Sequence, residues 1–280
     1  MKIGTYDVQA IETGTFALDG GAMFGVVPKP LWERSHPADA RNRIRMSARA
    51  LLVRGEGRTI LVDTGNGDKY DAKFREIYGL DETVADLDRS LRAHGVAPDD
   101  VTDVVLTHLH FDHAGGATRR TGDTVEPSFP QARYYVQRQH LEAALAPTER
   151  DRVSFMADDF QPIIRNGQLT LVEGEQELFP GFRVLIMSGH TTALQCPVIA
   201  DGTTTLLYCA DLVPLHSHCQ LPWIMGYDLR PLVTLEEKRR VLTRAADERW
   251  VLFFEHDPAI MAGRVERTDR GFRFSEQVTL

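Results

Sequence analysis

Residues 108–113 read His-Leu-His-Phe-Asp-His, directly after an apolar run over residues 101–106 and just before Gly115-Gly116. Three of the ten histidines fall within these six positions. A strand that ends in a tight turn projects several side chains into one volume. Imidazole and carboxylate together suit zinc, manganese or iron. If the chain stays extended, alternation places His108 and His110 on one side. Asp112 and His113 then turn toward a second position as a helix begins. The competing reading is a cluster of surface histidines, which four donors behind an apolar lead-in disfavour.

The remaining pattern is one of short strands with helices between them. Residues 49–53 and 59–63 read as strands joined by a turn at residues 54–58. Residues 83–94 have helical periodicity, with Val84, Leu87 and Leu91 on one face and Gly95 as the stop. Further strands fall at 133–136, 169–172, 182–187, 204–209 and 250–254, and a helix at 139–146. The clearest helix spans 235–248, with Thr234 as its N-cap and Glu237 completing a capping box. This order fits a single α/β domain over residues 1–280, built of two sheets flanked by helices.

Composition removes several classes. The chain has 280 residues, 42% of them hydrophobic, which suffices for a substantial core. Its net charge is −8, and no basic face for nucleic acid is expected. The most basic stretch, residues 34–54, reads as a solvated surface or an oligomer contact. Cys196, Cys209 and Cys219 form no Cys-x-x-Cys pair, so buried thiols are expected and not a disulfide framework. No apolar window approaches the eighteen or so residues of a membrane span, so no membrane partner is expected. With no signal-peptide pattern, a cytoplasmic soluble protein is expected, or one exported by another route.

Three more candidate donors each follow an apolar strand: His190 after residues 182–187, Asp211 after 206–210, and His256 after 251–255. Singly, each reads equally well as a loop residue; beside the histidine run they complete a site. The order His108, His110, Asp112, His113, His190, Asp211, His256 resembles the metallo-β-lactamase superfamily. Asp63-Thr64-Gly65 resembles that family's early turn. The resemblance implies an αββα sandwich of two mixed sheets. It further implies that His108, His110 and His190 hold one divalent ion, and Asp112, His113 and His256 a second. Asp211 then bridges them, and Asp63 orients a ligand histidine. Zinc is the first choice of metal, with manganese, cobalt or iron as alternatives.

The same resemblance favours hydrolysis by a hydroxide shared between the ions, with Asp112 passing a proton to the leaving group. True β-lactamases of this fold commonly carry cysteine where this chain has Asp211. Nucleases of the superfamily carry an insertion for which the 21 and 45 positions between His190, Asp211 and His256 leave no room. Residues 20–32, 108–116 and 221–228 resemble the lactonase-like, quorum-quenching branch. In acyl-homoserine lactonases a tyrosine stands three residues past the bridging aspartate; here that residue is Pro214. His218 is the candidate replacement contact, ahead of His216, while His36, His94 and His140 read as structural or exposed. Residues 20–45 fit a lid or a homodimer contact. Met23, Phe24, Trp32, Trp223 and Met225 are candidate walls for the apolar portion of a small-molecule substrate, or ordinary core. A lactonase or esterase is therefore expected. The alternatives are a phosphoester or phosphotriester hydrolase, a mononuclear iron oxygenase, and a non-catalytic binding module that the intact donor set disfavours.

Overall fold

The structure, a computed structural model, describes residues 1–83 and 85–280. Glycine turns cut the chain into strands with alternating or continuous burial. β1 (Lys2–Ile3), β2 (Tyr6–Asp19), β3 (Arg43–Gly55), β4 (Arg58–Val62) and β5 (Asp103–Val105) belong to the first sheet. β6 (Thr118–Thr121) and β7 (Thr124–Pro127) form a separate hairpin; β8 (Arg133–Gln137) and β9 (Leu169–Val172) return to the first sheet. Its order is β1-β2-β3-β4-β5-β8-β9. β3 and β4 are antiparallel, whereas β4, β5, β8 and β9 are mutually parallel. Val62 pairs with Val105, so β4 and β5 release the chain at the same edge, into Asp63 and the histidine run.

The second sheet runs in sequence order: β10 (Gln176–Phe179), β11 (Phe182–Met187), β12 (Leu194–Ala200), β13 (Thr205–Tyr208), β14 (Val251–Phe253), β15 (Ala262–Thr268) and β16 (Gly271–Gln277). β12 is antiparallel to both β11 and β13, and β14 is parallel to β13. β11, β13 and β14 therefore point the same way. Their carboxyl ends carry His190, Asp211 and His256, at the edge where open α/β sheets gather ligands.

By its internal contacts the chain forms two compact units: residues 1–15 with 48–176, and residues 16–47 with 177–280. The core of the first includes Leu52, Leu61, Leu91, Val104, Leu106, Phe129, Tyr134 and Ile163. That of the second includes Phe16, Phe182, Leu206, Leu242, Trp250 and the stacked pair Tyr208–Phe253. The expected class, two mixed sheets with helices, is the one found.

Several local expectations shift. The helix expected from residue 83 begins at Leu87, where Asp86 caps it by accepting from Arg89 N at 2.8 Å. Leu87 and Leu91 are buried as expected, Gly95 has φ +72°, and Val84 lies outside the described residues. The basic stretch is no uniformly solvated face. Residues 46–53 are a buried strand, and Arg49 is held by Glu12 at 2.5 Å. The long helix is Pro231–Asp247, because proline at its first position starts it a turn early. Thr234 is therefore inside the helix, and Glu237 forms no capping box. The helix Ala157–Arg165 contains Pro162, a residue that breaks the sequence signal for it.

Candidate metal centre

In the first unit the site is built on the turn after β4. Asp63, with φ +55° and no exposure, accepts from Thr107 N and Thr107 Oγ1, both at 2.7 Å. Its Oδ2 also lies 3.1 Å from His113 Nδ1. Thr64 donates its N–H and hydroxyl to His113 O at 2.8 and 2.9 Å. One turn thus grips the run at both ends. Gly115 and Gly116 are required by closeness: a Cβ would meet Asn66 O at 1.8 Å and Thr64 O at 2.3 Å. The middle of the run is held by Leu109 N donating to His140 Nε2 at 2.8 Å. His140 is buried, the structural one of the two readings its sequence allowed.

These contacts settle where the ring protons lie. A carboxylate only accepts, so His113 carries its proton on Nδ1 and points a lone pair from Nε2. Thr107 Oγ1 gives its proton to Asp63, so His108 Nδ1 donates to that oxygen at 3.0 Å and Nε2 holds the lone pair. His108 Nε2 stands 3.0 Å from His110 Nδ1, and His113 Nε2 stands 3.8 Å from Asp112 Oδ2. Rings of His108 and His113 approach to 3.9 Å between centroids. A lone pair aimed at a carboxylate is repulsive unless positive charge lies between them. The donor set of this unit therefore fits a cation.

A buried brace lies behind the run. Lys69 pairs with Asp159 at 2.8 Å, their side chains 1% and 0% exposed, and donates to Gly115 O. Tyr70 donates to the same carboxylate at 2.7 Å.

In the second unit the arrangement converges on Asp211, which sits in the turn Ala210–Leu212 after β13. Its Oδ2 lies 3.1 Å from His190 Nε2, and its Oδ1 3.3 Å from His256 Nε2. The far nitrogens are both tied: His190 Nδ1 to Asp228 Oδ1 at 2.8 Å, His256 Nδ1 to Ser47 O at 3.0 Å. Both partners only accept, so each ring carries a proton on Nδ1 and turns its Nε2 toward one carboxylate. Burial alone would lower the His190 pKa, but Asp211 and Asp228 outweigh it and raise it to about 10. This cluster also attracts positive charge at neutral pH, which its donor chemistry would accept from a divalent ion. Asp228 escaped the sequence reading because a lone aspartate 38 positions away carries no local signal.

The other singled-out residues form an aromatic cluster in the same unit. Phe24 stacks on Trp32 (5.2 Å) and His218 (5.1 Å) and meets Trp223 edge-on (5.4 Å). Met23, Phe24, Trp32 and Met225 are buried. His218 Nε2 donates to Met23 O at 2.9 Å, which leaves Nδ1 a buried acceptor without a partner among the described residues. Burial, then repulsion from Lys238, lowers its pKa to about 3, so it is neutral in ordinary buffers. His36, 6% exposed, bonds Ser217 Oγ at 2.9 Å, and His216 is tied to Asp257. Lys238 is buried and donates to the carbonyls of Gln220 (2.8 Å), Leu221 (3.3 Å) and Trp223 (2.6 Å).

Comparison with known proteins adds context. A family model described as the metallo-beta-lactamase superfamily matches residues 44–256. An N-acyl homoserine lactonase of Bacillus thuringiensis subsp. kurstaki is 29% identical over 219 residues, covering 74% of this chain and 79% of that protein. One from Bacillus cereus is 26% identical over 229 residues, covering 77% and 83%. Among solved structures, a probable metal-dependent hydrolase from Staphylococcus aureus superposes with TM-score 0.89 at 28% identity, covering all of both chains. The dizinc quorum-quenching lactonase AidC superposes with TM-score 0.82 at 21% identity, over all of this chain and 97% of that one; this likeness speaks to fold alone.

Proposed function

The chain belongs to the metallo-β-lactamase superfamily, and from that premise we propose that it is a metal-dependent lactonase or esterase with a binuclear centre. The reading assigns His108, His110 and His190 to one cation, Asp112, His113 and His256 to the other, and Asp211 to both. The observation that carries it is the sharing of one Asp211 carboxylate between two imidazoles, each presenting Nε2 because its Nδ1 is tied elsewhere. The lactonase relatives support the substrate class. Two divalent cations bound there, zinc by first preference, would supply Lewis acidity toward a carbonyl oxygen and a water acidic enough to ionise near neutral pH.

The chain's own groups do the rest. Asp63 keeps the His113 proton on Nδ1, and Asp228 does the same for His190. Asp112 takes up the proton that the attacking water loses and passes it to the departing alkoxide. His218 is buried and has no proton to give from Nδ1, so its part is to hold the Met23 carbonyl and the Phe24 ring in place. We assign the substrate's apolar portion to the segments carrying Met23, Phe24, Trp32, Trp223 and Met225. Residues 20–45 serve as their lid or as a contact with a second copy, and within them Val26 is 92% exposed.

Metal analysis of the purified protein, followed by a screen over lactones, aryl esters and phosphotriesters, tests this. Two metals per chain and lactone turnover are expected. Inactivity on lactones with strong phosphotriester turnover reverses the substrate class. One iron with oxygen consumption replaces hydrolysis by oxygenation.

A further inference from the structure

We propose that Glu237 is a positioning residue for His190, and that its carboxylate sets the protein's affinity for the cation assigned to that histidine. The inference rests on the reading that His190 is a metal donor.

Glu237 lies in the second turn of the helix Pro231–Asp247, where it caps nothing. Its two oxygens accept from consecutive peptide groups, Oε1 from Ser188 N at 2.6 Å and Oε2 from Gly189 N at 3.0 Å. These are the two amides immediately ahead of His190. A full negative charge on two neutral N–H groups makes a stronger, shorter contact than a neutral acceptor would. The flanking carbonyls are held from the same side. Gly189 O accepts from Arg230 N at 2.8 Å, His190 O from Leu229 N at 3.0 Å, and Ser188 O from the Arg230 guanidinium at 2.5 Å. The loop lies flush on the helix, because a Cβ on Gly189 would stand 2.2 Å from Thr234 Oγ1. With Asp228 fixing the ring and Glu237 fixing the backbone, His190 has neither a free torsion nor a free peptide plane. Glutamine at 237 is close in size, yet it can accept only one of the two N–H groups. Its own NH2 would face the other, donor against donor, and the loop would have to move.

The test titrates cobalt(II) into metal-free protein against a competing chelator and records the visible absorption of each bound ion. His190→Ala is expected to weaken one of two sites. Glu237→Gln is expected to weaken that same site about 10–100-fold and to shift its cobalt absorption, while the other site keeps wild-type affinity. A purely structural role for Glu237 would lower the metal-free melting temperature and leave both cobalt bands in place, and that result overturns the proposal. If Glu237→Gln folds poorly, Glu237→Asp decides by the same readouts, since the shorter arm loses its reach to one amide. Wild-type cobalt binding by His190→Ala overturns the underlying metal reading instead. Loss of one site in His190→Ala with unchanged binding in both Glu237 variants overturns the positioning claim alone.

Discussion

The donors of the two units are organised by opposite means. In the first unit, four donors arrive on one six-residue run, and a single turn, Asp63-Thr64, grips both ends of it. In the second, three donors arrive on three strand ends, and their fixing contacts come from separate places: Asp228, Ser47 O and Glu237. A contiguous run inherits its geometry from the backbone, whereas a dispersed set must import it from distant residues.

The comparison can be broken most sharply at Asp211. Asp211→Ala leaves His190 and His256 without their common partner. Lactone turnover is expected to vanish and bound metal to fall on elemental analysis; full activity would end the idea of a convergent second set. Next in size is the buried pair behind the first run. Lys69→Met strands Asp159 as an unpaired buried charge and should cost about 3–5 kcal/mol in chemical denaturation. Lys69→Met combined with Asp159→Leu should recover most of that loss. Asp228→Asn should weaken one metal by about 10–100-fold in chelator competition, with little change in the midpoint of unfolding. An effect of that size on stability instead would make the support a structural one.

Per unit of pH, the smallest expected effect is that of Lys238. Burial lowers the Lys238 pKa to about 7 from 10.5, against the pull of Cys219 and Asp228. Between those values the unfolded chain binds the extra proton, so the contribution to stability grows as pH rises. It is lost as pH falls toward 7 and is flat below. Denaturation across this window should show a slope in wild type that exceeds that of Lys238→Met by about 1.4 kcal/mol per pH unit. Equal slopes would mean that the carbonyls of Gln220, Leu221 and Trp223 keep the buried ammonium charged.

The same contrast decides what the sequence could reveal. The histidine run was legible because its donors, apolar lead-in and glycine pair are neighbours in the chain. β8, β9 and β11 were legible to within a residue because glycine, proline or polar residues bound each apolar run. Asp228 was not, and His140 was legible only as structural or exposed, since each acts on a residue 31 or more positions away. Glu237 was misread: its spacing from Thr234 fits a capping box, but tertiary contact with Ser188 and Gly189 claimed both oxygens. Residues 49–53 were read as a strand, but the basic residues before them hid its extension back to Arg43. The N-terminal strand β2, 14 residues long, was passed over, although the hairpin turn Gly4-Thr5 that pairs it with β1 opens it.

One consequence concerns timing. β13 and β14 pair in parallel only after the whole helix Pro231–Asp247 has been made between them, and such non-local pairing is slow to form. Until it forms, His256 has no reason to be near Asp211. Before then the second set holds His190 and Asp211, joined through the consecutive strands β11, β12 and β13, and lacks only His256. The second donor set is thus completed only in chains that have finished their second sheet.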